Sequence, residues 1–265
     1  MTTGSQDSFV EVPGGEVFVR RWNAVDNDCS PIFLLHDSLG SVEQWREFPL
    51  ALAEATCRDV IAYDRLGFGK STARIELPTI DFITEEAEIY FPAIRTALGI
   101  DRFALFGHSV GGGMAIAIAS TDPDRKRCEA VISESAQAFL EPHTLDGIRV
   151  AKEQLREPRR FQRLVKWHDD KAQWVLDAWT EVWQSPEFAG WSLDQYLETV
   201  TCPVLAIHGD QDDFGSVEFP RRIVRNAKGP TQLAIFENCG HIPHRERKAE
   251  ILTLVSAFLE GTCML

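Results

Sequence analysis

Short, continuous apolar runs recur along this chain, separated by longer stretches in which apolar residues return every three or four positions. The runs at residues 31–36 and 60–63 have the pattern of buried strands covered on both faces, and 101–106, 130–133, 203–208 and 231–236 read as further strands. Residues 42–55, 78–98, 110–120, 217–226 and 245–260 have helical period. Residues 16–22, after the Pro13-Gly14-Gly15 turn, alternate as the exposed strand of an edge hairpin. Strand and helix in alternation predict an α/β fold: a mostly parallel central sheet flanked by helices, whose ligands bind beyond the carboxyl ends of the strands.

The alternation stops between residues 139 and 197. That region is helical in period, rich in charge, and holds five of the seven tryptophans, Trp167, Trp174, Trp179, Trp183 and Trp191. It reads as an inserted helical lid, which divides the chain into a first core part at 1–138, a cap at 139–200 and a second core part at 201–265. Trp179 and Trp183 stand one helical turn apart and share a face, either as a roof over a substrate or as glue between lid and core. Arg149, Lys152, Arg156, Arg159, Arg160, Arg163 and Lys166 fall within about one third of a helical circumference, and Pro158 splits the segment into two helices. This stripe is either a solvated lid face or a positive surface that attracts an anionic substrate tail.

Charge and composition narrow the class. A formal charge of −13 over 265 residues argues against broad affinity for nucleic acid or for an anionic membrane surface. No apolar run approaches membrane-spanning length, and the polar first residues have no leader-like pattern, so a cytoplasmic location is expected. Six cysteines stand singly, without C-x-x-C pairs, and are read as reduced thiols. No cluster has metal-ligand spacing, so neither metal nor cofactor is implied. Residues 64–71 (D-R-L-G-F-G-K-S) end like a phosphate-binding loop, but Asp64 stands where that motif needs glycine and no helix follows directly.

The candidate chemistry sits at the predicted strand ends. Gly107-His108-Ser109-Val110-Gly111 places a serine between two glycines on a strand-to-helix turn, the arrangement that projects a hydroxyl from a strained backbone. A serine hydroxyl needs a base to take its proton, and a histidine in that role needs a carboxylate to hold its tautomer. Asp212 lies after the strand at 203–208 and His241 after the strand at 231–236. Asp210 and Glu134 compete with Asp212 for the acid role, and Asp213 reads as a solvated turn residue. His36 and His108 adjoin the site as turn braces, with His108 a further candidate for substrate contact, and His244 has a capping or packing role.

From residue 16 to 259 the chain resembles the α/β-hydrolase superfamily, in particular its small capped serine hydrolases. Five ordered blocks carry the resemblance: His36-Asp37-Ser38-Leu39-Gly40, residues 64–71, Gly107–Gly111 around Ser109, Gly209-Asp210-Gln211-Asp212, and Gly240-His241. The resemblance implies Ser109 as nucleophile, His241 as base, Asp212 as acid, and the backbone N–H groups of Ser38 and Val110 as oxyanion hole. It departs from the family at Asp37, where glycine is usual, and the expectation is that this carboxylate points away from the site, into a hydrogen-bonded turn. The implied activity is cleavage of a carboxylic ester with a small or medium apolar acyl or aromatic group. Thioester, lactone and C–C bond hydrolysis share these residues, and a receptor-like member that only binds ligand is the alternative of a different class. A serine at position 109 disfavours the branches that use aspartate there. A monomer and a homodimer are equally compatible with the sequence.

Overall fold

A computed structural model describes residues 4–25, 29–122 and 127–260. Eight strands form one sheet in the order β1-β2-β4-β3-β5-β6-β7-β8. They are β1 (Ser5–Val12), β2 (Gly15–Trp22), β3 (Ile32–Leu35), β4 (Val60–Tyr63), β5 (Phe103–His108), β6 (Cys128–Glu134), β7 (Val204–Gly209) and β8 (Thr231–Phe236). The β1/β2 and β2/β4 pairings are antiparallel and all others parallel. The mostly parallel sheet expected from the alternation, and the α/β-hydrolase architecture that the resemblance implies, are thus present.

The inner runs became strands because they are covered on both faces: every residue of β3, β4, β5 and β7 is buried, whereas β8 at the other edge of the sheet has no buried residue. One core cluster contains Phe33, Leu105, Val110 and Met114, and a second on the opposite face contains Leu34, Phe106, Phe48 and Ile251. Truncation of such a fully buried phenylalanine to alanine costs about 3–5 kcal/mol.

Three local expectations need correction. The hairpin does sit at the sheet edge, but β1 is the edge strand; β2 lies inside it with Val17, Phe18 and Val19 buried. Residues 42–55 form a 3-10 turn (Val42–Trp45) and a separate α-helix (Phe48–Thr56), since Arg46 takes a φ of 54° that no right-handed helix accommodates. Residues 78–98 become helical only from Phe82, and pass through a π turn (Glu86–Tyr90) before Phe91–Ala97. Pro92, which has no N–H to donate, stands at the restart.

Chain order places β4 on one side of β3 and β5 on the other, so the sheet reverses its winding between β3 and β5. Crevices at such points are where open α/β sheets bind ligands. Residues 36–40 follow β3 and Ser109 follows β5, which puts both at the reversal. The segment between β6 and β7 carries the helices Pro142–Leu155, Pro158–His168, Ala172–Trp183 and Asp194–Leu197, and the break at Pro158 falls where the sequence places it. Four of the seven basic residues of the stripe form ion pairs: Arg149 with Asp146, Lys152 with Glu181, Arg156 with Glu153, and Arg160 with Glu157.

One cysteine expectation is overturned: Cys29 is disulfide-bonded, whereas Cys57, Cys128, Cys202 and Cys239 are free. Cys263 lies outside the described residues. Single cysteines far apart in sequence carry no signal of how tertiary folding brings them together.

Candidate active site

The turn after β5 is built by glycine. A side chain on Gly107 would lie 2.0 Å from the Gly111 carbonyl oxygen, and one on Gly111 would lie 2.1 Å from that of Leu35. Without those side chains the helix Val110–Thr121 packs directly onto the sheet and leaves Ser109 at φ 56°, ψ −126°, a conformation that L-residues rarely adopt. Two hydrogen bonds hold it there, from Ser109 N–H to the Glu134 carbonyl (2.8 Å) and from Gly112 N–H to the Ser109 carbonyl (2.8 Å). Val110 is the first residue of the helix, where backbone N–H groups have no intrahelical acceptor.

His241 Nδ1 lies 2.9 and 2.8 Å from the two oxygens of Asp212. Phe214 N–H donates to Asp212 Oδ1 at 2.8 Å, and His208 Nε2 stands 3.6 Å from Oδ2. Burial would raise the Asp212 carboxyl, but the charge and hydrogen bond of His241, the charge of His208 and the Phe214 N–H together hold it below its ordinary value. It therefore accepts, and His241 Nδ1 carries the proton.

Ser109 and His241 line one cavity of about 220 Å³. Its floor is Asp37, Ser38, His108 and Gln137, and Thr144, Ile148, Trp179, Trp183 and Phe214 close the other side. Of the residues singled out in sequence, Ser38, His108, Ser109, Trp179, Trp183 and His241 meet at this cavity, Asp212 supports His241 from behind, and Val110 lies buried beside Ser109. Asp210 and Asp213 are exposed turn residues. Sequence reasoning missed Gln44, Gln137, Thr144, Ile148, Phe214, Ile242 and Arg245. Phe214 and Ile242 adjoin the acid and histidine blocks, and Thr144 and Ile148 lie one turn apart on one helix, so both signals were present in the spacing.

Glu134, the competing acid, accepts from Nδ1 of His244 at 2.5 Å instead of reaching His241. His36 accepts the Arg65 N–H at Nε2 (3.1 Å) and donates from Nδ1 to the Asp37 carbonyl (2.8 Å), bracing the turn as a neutral ring. Burial, helped by the charge of Arg65, holds it well below the ordinary histidine value. The Asp37 carboxylate accepts from Leu39 N–H at 2.8 Å, the hydrogen-bonded turn expected of it. It does not leave the site, because it lines the cavity and stands 3.4 Å from His108 Nδ1. The loop at 64–71 is a structural turn: Asp64 accepts from Val42 and Lys70 N–H, and Gly69 N–H donates to His168 of the helical segment.

Among the described residues, one group of metal-ligating side chains comes together: His108, Glu134 and His244, with ligand-type atoms within 4.8 Å of one another. Both ring nitrogens of His108 and Nδ1 of His244 are already engaged with protein acceptors, so the group is a hydrogen-bonded network.

The sequence pattern of the alpha/beta hydrolase fold family matches residues 30–248. This chain belongs to that family. Among its relatives, the 2-hydroxymuconate semialdehyde hydrolase of Pseudomonas sp. (strain CF600) is 26% identical over 249 residues, covering 86% of each chain. The proline iminopeptidase of Heyndrickxia coagulans is 25% identical over 304 residues, covering 96% of this chain and 99% of that protein. In fold, this α/β-hydrolase is similar to the 2-hydroxy-6-oxo-6-phenylhexa-2,4-dienoate hydrolase of Rhodococcus sp. strain RHA1, with a TM-score of 0.79 at 18% identity over 98% of this chain and 100% of that one. Family members of such different names share the scaffold, so the site must carry the functional argument. No helix among the described residues is long and apolar enough to cross a membrane.

Proposed function

We propose that this α/β-hydrolase is a serine hydrolase that cleaves carboxylic esters of small, largely apolar acids through an acyl-enzyme. One observation carries the reading: a serine held in a strained turn and a histidine oriented by a carboxylate line the same small, tryptophan-roofed cavity. His241 Nε2 takes the Ser109 proton as Oγ attacks the ester carbonyl, and the N–H groups of Ser38 and Val110 hold the oxyanion. Collapse expels the alcohol, which takes the proton from His241. Water, deprotonated by His241, then attacks the acyl-enzyme, and Ser109 leaves with the returned proton. Asp212 keeps Nδ1 protonated and stabilises the imidazolium.

The segment 139–200 acts as the lid, with 1–138 and 201–265 as the catalytic core. Trp179 and Trp183 supply its apolar underside, the face that lines the cavity. A cavity of about 220 Å³ lies below the range of roughly 300–1,000 Å³ usual for drug-sized ligands and favours short acyl groups. The free thiols suit a cytoplasmic enzyme, and the Cys29 disulfide weighs against that location. Hydrolysis of a C–C bond is the second reading, supported by the similarity to the 2-hydroxymuconate semialdehyde hydrolase.

A panel of nitrophenyl esters from acetate to decanoate, assayed beside a ring-cleavage dienoate, tests this. The expected result is highest kcat/KM on short esters, with W179A moving the optimum to longer acyl chains. Faster turnover of the dienoate than of every ester would replace the first reading by the second.

A further inference from the structure

Two features of the cavity floor depart from what a simple oxyanion site needs. A carboxylate, Asp37, stands next to Ser38, whose N–H is assigned to developing negative charge. A buried histidine, His108, lines the cavity beside the nucleophile, yet both its ring nitrogens face protein groups. Their geometry links them. His108 Nε2 is 2.8 Å from the main-chain carbonyl of His241, an atom that only accepts, so Nε2 carries a hydrogen. Nδ1 faces the Asp37 carboxylate at the ion-pair distance of 3.4 Å, where an unprotonated nitrogen would set its lone pair against an anion, so Nδ1 carries one too. His36, with one donor and one acceptor contact, is the neutral counterexample on the next strand.

We propose that His108 is an imidazolium at neutral pH that ties the loops after β3, β5 and β8 together and supplies the counter-charge that keeps Asp37 from opposing the oxyanion. This rests on the serine-hydrolase reading above. His108 is a positioning residue, acting on the oxyanion site through Asp37 and on the base through the His241 carbonyl.

The surroundings agree. Burial alone would lower the His108 value, but the hydrogen bond and charge of Asp37, the charge of Glu134 and the His241 carbonyl raise it above that of an ordinary histidine. Asp37 in turn, against the effect of burial, is held far below the usual carboxylate range, chiefly by His108. The other charged or titratable groups around the ring are His241 at 4.9 Å between ring centres, His244 at 5.0 Å, and Arg245 on the same cavity wall. Arg245 favours an ionised Asp37, while His244, held low mainly by burial, stays neutral.

The test combines activity with a direct reading of protonation. In H108N the unscreened Asp37 should lower kcat by about 10- to 100-fold with little change in KM, comparable to losing part of an oxyanion hole. It should also move the acid limb of the kcat/KM profile to higher pH, because an uncompensated carboxylate stabilises the His241 imidazolium. The double variant D37N/H108N should recover most of the lost kcat and return the limb. Additive losses, or an unmoved limb, would overturn the proposal. Nitrogen-15 NMR of histidine-labelled protein, with H108Q identifying the resonance, should show both ring nitrogens of His108 protonated at neutral pH in the unmodified chain and one in D37N. A single-proton tautomer in the unmodified chain also overturns it. The spectrum requires no turnover, so it separates this inference from the serine-hydrolase reading, whose failure would appear as an inert Ser109.

Discussion

Two carboxylate and histidine pairs lie within this site, three residues apart at their histidines, and they have opposite fates. His241 Nδ1 donates to Asp212, and the His241 side chain keeps 16% of its surface exposed on the cavity. His244 Nδ1 donates to Glu134 with comparable geometry, yet its side chain is 2% exposed, packed among Trp45, Phe48 and Phe106. Its Nε2 has no hydrogen-bond partner among the described residues. A short hydrogen bond between carboxylate and imidazole therefore does not by itself make a proton shuttle. What differs is whether the far nitrogen reaches a place where substrate fits. The buried pair serves architecture: Glu134 also provides the carbonyl that holds the Ser109 N–H.

The largest predicted effect breaks this comparison outright. D212N should lower kcat by about 10⁴-fold, because an amide cannot hold the His241 tautomer. E134Q should lower kcat by less than about tenfold while it costs roughly 1–3 kcal/mol of stability, seen as a lower Tm, since a buried hydrogen bond is weakened without touching the base. Equal kinetic losses in steady-state assays would mean that the two pairs share the work.

A smaller effect sharpens it through pH. Burial holds His36, His168, His208 and His244 below the ordinary histidine value of 6.5. The folded protein therefore binds fewer protons than the unfolded chain as pH falls below that value, and stability is lost. Asp37 and Asp212, both held low, add to the loss only in stronger acid. His108 is raised and opposes the trend: its stabilisation is complete below 6.5 and is lost as pH rises through its own folded value. Thermal unfolding should show Tm falling by on the order of 5–10 °C between about pH 7.5 and 5.5. H244Q, which removes one buried titrating ring, should flatten that fall. A Tm that holds steady or rises in acid would contradict the neutral assignment.

Much of the fold was legible because its inner strands β3, β4, β5 and β7 are covered on both faces, and covered strands read as unbroken apolar runs. β1 was not, since residues 5–9 are exposed and the strand is identified only by its pairing with β2. The candidate site was legible where chemistry is local. Gly107, Ser109 and Gly111 define a turn by spacing alone, and Asp212 and His241 were placed in strand-end loops at the same end of the sheet, where the structure has them; their roles remain the proposal. The unread parts are contacts made only by folding. Glu134 and His244 meet across 110 positions, and Asp37 reaches His108 from another strand end. No periodicity encodes such meetings. The positive stripe between Arg149 and Lys166 is visible in sequence, but Asp146 and Glu181, which pair with Arg149 and Lys152, lie outside it and give no sign there of the pairing.

The most direct measurement of the central claim is intact-protein mass after treatment with a fluorophosphonate at mild alkaline pH. The account predicts one adduct per chain, located on Ser109 by peptide mapping, absent in S109A and much slowed in D212N but not in E134Q. No adduct, or an adduct that persists in S109A, would contradict it.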